Sequence, residues 1–255
     1  MGSYAFVVVF GLIIGSFLNV VIHRLPREES IVRPGSRCPG CGTAIRWHQN
    51  IPLFGYLFLR GKCAGCKAPI PWRYPLVEFL TAFLFFASFK GVPGDPGAAI
   101  AQFRIWYFIA SCIAITFIDF DHRIIPHELS LGGWAVGLLT MPWDFRLGWM
   151  SLLIASAGGF LFFWAFAEIY ERITGRVGLG GGDVKFMGTI GIFLGFGGIW
   201  SALMISSILG SVVGITLAKI RKTDQVLKMA IPYGPFLVAG ALVELFFEVS
   251  RWLNL

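Results

Sequence analysis

AIAQFRIWYFIASCIAITFIDFD, residues 99–121, decides the fold. Its first twenty residues carry a single charge, Arg104. About twenty apolar residues, at 1.5 Å per residue, are what a helix needs to cross the hydrocarbon core of a bilayer. The run then ends on Asp119 and Asp121. Ionisable groups in or beside a membrane helix are costly, which makes them functional candidates by default.

The rest of the chain repeats the pattern. Apolar stretches lie near residues 4–22, 75–90, 99–118, 129–142, 149–168, 184–197, 199–219 and 233–249. The expected fold is therefore an all-α polytopic membrane protein with about eight transmembrane helices, the two shortest stretches, 129–142 and 184–197, tilting, thinning the bilayer or re-entering it. Of the 255 residues 56% are hydrophobic and 14% charged. Soluble domains carry about 25% charged residues, so an ordinary soluble enzyme is excluded. Residues 1–22 lack a basic n-region and a clear small-residue cleavage site, and read as a retained first helix.

One stretch breaks the apolar pattern. Residues 23–73 hold nine Lys/Arg, four of the five Cys and six of the thirteen Pro. The expected division is 1–22 as the first transmembrane helix, 23–73 as a polar loop and 74–255 as a seven-helix membrane core. With the N-terminus outside, inside segments hold 17 Lys/Arg, among them Lys219, Lys222 and Lys228, and outside segments hold 4. Positive residues mark the cytoplasmic side, so the loop is expected in the cytoplasm. The formal net charge of +7 flanks apolar runs and forms no basic helix, so no nucleic-acid partner is expected.

Within that loop Cys38-Pro-Gly-Cys41 and Cys63-Ala-Gly-Cys66 are two C-x-x-C pairs 21 residues apart. The spacing is close to a zinc ribbon, in which each pair grips one side of a tetrahedral ion. Two disulfides are the alternative, disfavoured where the cytoplasm keeps thiols reduced. Four thiolates saturate Zn²⁺, so the expected metal is structural, stapling a loop too polar to fold alone. Cys112 stands alone in the third stretch as a packing residue.

Gly178-Leu-Gly-Gly-Gly-Asp183-Val-Lys185 enters the sixth stretch. Two expected crossings separate Asp119 from Asp183, which places both carboxylates on one side, that of the loop. Two carboxylates together at a low-dielectric boundary cannot both ionise easily, so one keeps a proton while the other acts as base, as in aspartic proteases. The glycines remove side chains just before Asp183 and admit a close approach by a peptide or helix. The plain alternatives are Asp183 as a helix N-cap and Asp119 as a loop carboxylate paired with Arg123. Residues two apart on a helix point about 200° from each other, so only one of Asp119 and Asp121 can face Asp183. Asp119, nearer the apolar run, is the expected one. His122 and His127 lie close by without an H-E-x-x-H pattern. Lys185 either steers the carboxylates or marks a helix end.

These motifs, in this order, resemble the type IV prepilin peptidases of the bifunctional class. The similar residues are Gly15-Ser-Phe-Leu-Asn19-Val-Val-Ile-His23-Arg24-Leu-Pro26, then Asn50-Ile-Pro52, the Cys pairs and Arg73-Tyr-Pro-Leu-Val-Glu78. Ile118-Asp119 and Gly180-x-Gly182-Asp183 follow, 64 residues separating the two aspartates. The resemblance implies a multi-pass protein of the bacterial inner membrane with its active site on the cytoplasmic side. It implies Asp119 and Asp183 as catalytic residues, with Gly180, Gly182 and Lys185 as supporting motif positions. The implied substrates are type IV prepilins and type II secretion pseudopilins, cut after a glycine that ends a basic leader. Methylation of the new N-terminus with S-adenosylmethionine is implied as well. Two positions depart from the family pattern: Gln49 stands where a Glu is usual, weakening the methyltransferase half, and His127 where an Asp is usual after Leu-Pro. The competing class is a transporter or non-catalytic assembly factor whose zinc loop docks a partner, and a further one is a methyltransferase or scaffold that has lost proteolysis. A transporter should carry midplane charges and inverted repeats, and neither stands out.

Overall fold

Lipid offers the backbone no hydrogen-bond partners, so apolar runs must close their bonds within helices. The computed structural model describes residues 2–91, 95–144, 146–221 and 232–252. Lys222 and Lys228, part of the charge asymmetry above, lie outside the described residues. The chain divides into two units, Met1–Pro93 and Gly94–Leu255.

In the first unit α1 (Gly2–Arg24) lies against α3 (Arg73–Ser88), with the short α2 (Phe54–Phe58) in the loop between them. The α1–α3 contact is built on glycine. A Cβ at Gly11 would lie 2.7 Å from Ala82 Cα, and one at Gly15 would lie 2.6 Å from Glu78 Cα. The helices are therefore antiparallel and close, as small residues permit between membrane helices. Asn19 Nδ2 donates to the Tyr74 carbonyl at 3.1 Å and continues the same register.

The second unit holds α4 (Pro96–His122), α5 (His127–Thr140), α6 (Trp149–Thr174), α7 (Gly181–Arg221), α8 (Gly234–Phe247) and α9 (Val249–Trp252). Its core gathers Phe108, Cys112, Ile115, Leu152, Phe186 and Leu237, all essentially buried. Gly191 packs on the Ala155 backbone of α6 and Gly240 on Ala202 of α7, where an added Cβ would lie 2.7 Å from its neighbour in each case.

The expected eight transmembrane helices are corrected to four. Among the described residues α1, α4, α6 and α7 are long and apolar enough to cross a membrane, and the chain is a multi-pass membrane protein. The apolar stretches at 75–90, 129–142 and 233–249 form helices of 16, 14 and 14 residues. At 1.5 Å per residue these rise only about 21–24 Å, short of the ~30 Å hydrocarbon core. The stretches at 184–197 and 199–219 are not separate elements either. They join in the 41-residue α7, interrupted only where Gly195 takes φ 71°.

The expected zinc-ribbon-like loop is also corrected. Among the described residues the Cys loop contains no strand, only isolated bridges between Arg37 and Ala44 and between Lys62 and Pro69. One bridge brackets each Cys pair. Each C-x-x-C turn closes locally, Gly42 N–H donating to the Cys38 carbonyl at 2.8 Å and Lys67 N–H to that of Cys63 at 3.1 Å. Two local turns meet the ligand geometry without a sheet to carry them.

The break in α7 is held by charge. Arg104, 1% exposed, donates to the Gly137 carbonyl at 2.9 Å, to Thr140 Oγ1 at 3.1 Å and to the Ile192 carbonyl, and pairs with Asp144 at 3.3 Å. Its guanidinium also lies 4.6 Å from the centroid of Phe193. Arg146 donates to Asp144 at 2.9 Å and to the Phe193 carbonyl at 3.4 Å. Ile192 and Phe193 precede Gly195, so the acceptors that a helix break leaves without their regular donors are met by two arginines.

Candidate active site and metal site

Asp119 sits in the last turn of α4 and is 5% exposed. The helix ends at Arg123, whose left-handed backbone (φ 57°) sends its N–H back to the Asp119 carbonyl at 2.9 Å. Asp121, two residues on, is exposed. The Asp119 carboxylate faces inward and accepts a hydrogen bond from Gly234 N–H, at the start of α8, at 2.9 Å.

Asp183 lies in the first turn of α7 and is half-buried. Gly180, just before the helix, lies against the Asp183 carboxylate, where a Cβ at Gly180 would be 2.8 Å from Oδ2. Gly182 brings this turn to the segment after α4. A Cβ there would lie 2.9 Å from Ile125 Cβ and 3.0 Å from the Ile125 carbonyl. The glycine run thus lets the start of α7 close on the chain six residues past Asp119. Gly182 thus brings the first turn of α7, which carries Asp183, to the segment that follows the last turn of α4, which carries Asp119. Lys185 turns elsewhere, its Nζ 3.2 Å from His127 Nδ1.

Each carboxylate therefore lies against a glycine. No side chain fits at either glycine without moving the acid, since a Cβ at Gly180 or Gly234 would lie 2.8 Å from the corresponding Oδ2. Gly234 was not singled out in the sequence. Its only signal there is the Pro232-Tyr-Gly-Pro235 run, a helix start with a bare backbone position.

The four loop cysteines converge in the first unit. The ligand atoms of Cys38, Cys41, Cys63 and Cys66 lie within 4.8 Å of one another, so the cluster can hold a metal ion. Cys38 and Cys66 Sγ are 3.8 Å apart and Cys41 and Cys63 Sγ 4.0 Å. Tetrahedral coordination at a Zn–S distance of about 2.3 Å requires sulfurs about 3.8 Å apart, so the donor set fits zinc. Hydrogen bonds from the Thr43 side chain and backbone lower the Cys41 thiol to about 6, and the backbone N–H groups of Cys66 and Gly65 lower Cys63. These favour the thiolate, the form that binds metal, at Cys41 and Cys63, whereas against the backbone hydrogen bond from Ala68 the Cys41 side chain and burial raise the Cys66 thiol to about 11.

Beside the cluster lies a cavity of about 520 Å³, lined among others by Asn19, His23, Gln49, Asn50, Tyr74 and Glu78. Glu78 is buried, and its Oε2 accepts from Leu53 N–H at 2.8 Å. Cavities of 300–1,000 Å³ are the usual size for small-molecule sites.

A multi-pass helical membrane protein with one carboxylate in the last turn of α4 and another in the first turn of α7 offers the acids that an aspartic peptidase needs. Residues 9–91 match the Bacterial Peptidase A24 N-terminal domain and residues 106–215 the Type IV leader peptidase family. The chain is 35% identical to a prepilin leader peptidase/N-methyltransferase of Aeromonas hydrophila, over 98% of this chain and 93% of that protein. It is 39% identical to one of Myxococcus xanthus over 83% of this chain and 62% of that one. A third, from Pseudomonas aeruginosa, is 32% identical over 93% and 88%. No solved structure matches. The chain belongs to the type IV leader peptidase family.

Proposed function

We propose that this protein is a membrane aspartic endopeptidase that removes the basic leader from type IV prepilins and type II secretion pseudopilins and then N-methylates the new terminus. The observation that carries the peptidase reading is that the first turn of α7, with Asp183, closes through Gly182 on the segment just past Asp119, whose carboxylate accepts from Gly234 N–H, in a chain of this family. Two carboxylates sharing such a site hold one proton between them. The ionised member takes a proton from water as it attacks the scissile carbonyl, and the protonated member donates to the carbonyl oxygen. Burial of Asp119 and the cramped glycine contacts keep both acids oriented before substrate arrives. The chain would lie in the bacterial inner membrane with this site toward the cytoplasm. There a basic leader stays in water while the apolar start of the pilin helix enters lipid.

The metal at the Cys loop, residues 23–73, is assigned as zinc, structural because four thiolates leave no open position. The peptidase chemistry is assigned to residues 74–255. For the second activity S-adenosylmethionine would supply an electrophilic methyl group. The 520 Å³ cavity suits such a ligand, with the Glu78 carboxylate and the amides of Asn19, Gln49 and Asn50 available to its cationic and hydroxyl groups.

The test is incubation of detergent-solubilised protein with a precursor pilin and S-adenosylmethionine, followed by mass spectrometry. The expected product has lost its leader and gained the mass of one methyl group in place of hydrogen. Intact precursor after incubation with folded, metal-loaded protein would sink the peptidase reading.

Two further outcomes follow from the geometry. Gly234→Ala should lower kcat for cleavage by about 10²-fold while leaving KM within about threefold, since the new Cβ displaces Asp119 and a misplacement near 1 Å costs that much. Unaltered kcat in a cleavage assay would show that the Gly234 contact does not position Asp119. Replacing Cys41 and Cys63 together by Ser should reduce bound zinc, measured by atomic emission, from about one per chain to below about 0.1.

A further inference from the structure

The face of α2 that turns away from the loop is apolar and uncovered. Phe54, Leu57 and Phe58 are 55%, 67% and 79% exposed, and their i, i+3, i+4 spacing places them on one side of the helix. The rings of Phe54 and Phe58 lie with centroids 6.4 Å apart. Tyr56 and Leu59, on the other side, line the loop cavity. Trp47 and Trp72 are 81% and 71% exposed. Arg46, Arg60 and Lys62 are exposed in the same loop.

The depth of this face follows from the α1–α3 register. Leu53, the residue before α2, donates its N–H to Glu78 at 2.8 Å, and Glu78 packs on Gly15 of α1. The apolar run of α1 continues from Gly15 to Ile22, seven residues or about 10 Å of helix rise. The loop therefore folds back beside the membrane helix, and α2 begins at a level where α1 is still apolar. Trp72, just before α3, falls near the end of that run, where indole rings favour the headgroup boundary.

Charge selects the occupant. Residues 23–73 carry nine Lys/Arg against two Glu, a net charge equal to the +7 of the whole chain. A second copy of the chain would bring the same positive rim against itself, and a basic leader peptide carries the same sign. A bilayer rich in anionic headgroups presents apolar depth and negative charge together. We infer that α2 is an interfacial anchor, seating Phe54, Leu57 and Phe58 in an anionic leaflet while Arg46, Arg60 and Lys62 meet lipid phosphates. The Cys loop is then held down on the membrane rather than projecting freely from it.

The experiment places the photocrosslinker p-benzoylphenylalanine at position 58 of the full chain, with position 67 as the control. Lys67 is exposed at the second Cys turn. The protein is reconstituted in phosphatidylcholine vesicles with and without phosphatidylglycerol, irradiated and examined by intact-mass spectrometry. The expected result is a lipid adduct at position 58 at least fivefold stronger than at 67, rising at least twofold when phosphatidylglycerol is present. Chain-to-chain adducts at 58, or equal lipid labelling at 58 and 67, would overturn the anchor. Labelling indifferent to phosphatidylglycerol would overturn its anionic preference.

Discussion

In Asp183→Asn, leader cleavage falls by at least about a thousandfold, and Asp119→Asn does the same, because each change removes one of two groups that must exchange a proton with water or the scissile carbonyl. The Asn side chain keeps the shape and can still accept a hydrogen bond. In Asp119→Asn the 2.9 Å contact with Gly234 N–H can persist, and in Asp183→Asn the side chain can keep its place against Gly180. The loss is then chemical, with thermal unfolding in detergent and zinc content unchanged. Asp121→Asn provides the contrast, because Asp121 is exposed and its replacement leaves cleavage within about threefold of wild type. The measurement is initial rate on a precursor pilin in micelles, with products resolved by mass. An Asp183→Asn protein that cleaves within tenfold of wild type would remove the paired-acid mechanism. The double variant should be no slower than either single one, since residues acting as a unit lose their effect together.

What the sequence yielded depended on how local each signal was. The Cys pairs are written as two short turns, and the four sulfurs do converge. The glycine run before Asp183 could be read as room for close approach, and Gly182 is where α7 meets Ile125. Span number was less legible. Hydropathy marks where a chain is apolar, but it does not distinguish a 14-residue helix such as α5 from a full crossing, or two stretches from one interrupted helix such as α7. Pairing of a side chain with a distant backbone group was not legible. Gly234 lies 115 residues from Asp119 and carries no side chain to announce its role. Arg104 showed in the sequence only as the single charge of its apolar run, whereas its partners come from three other segments, at Gly137 to Thr140, Asp144 and Ile192. The ribbon failed for a related reason, because two isolated bridges satisfy the Cys spacing without a sheet.

Arg104→Met should be the most destabilising single change in the second unit, by about 3 kcal/mol, because it leaves a buried carboxylate with Arg146 alone and two backbone carbonyls without their guanidinium donor. Asp144 is essentially buried, and burial alone would raise its carboxyl. The hydrogen bond and charge of Arg146, with the charge of Arg104, instead hold it below the ordinary carboxylate range. Arg146 remains in the variant and still donates to both oxygens of the acid, but the second guanidinium charge beside it is gone. The Gly137 and Ile192 carbonyls lose their guanidinium donor, and the break at Gly195 loses a main tie to α4 and α5. A loss of that size lowers Tm by roughly 10 °C in a unit of this length, measurable by thermal unfolding in detergent. Arg104→Lys keeps a charge but not the planar fork, and should fall between wild type and Met. Adding Asp144→Asn to Arg104→Met should recover part of the loss, since the buried charge is gone. The sign with pH follows from the depressed carboxyl. The stability it contributes is complete above the unfolded value near 4 and is lost as pH falls through the lower folded value. Wild type and Arg104→Met should therefore differ equally at pH 7 and pH 5.5, and the gap should narrow only below about pH 4, where the part carried by the carbonyls remains. A Tm for Arg104→Met within about 2 °C of wild type at pH 7 would show that Arg146 and the backbone hold the break without Arg104.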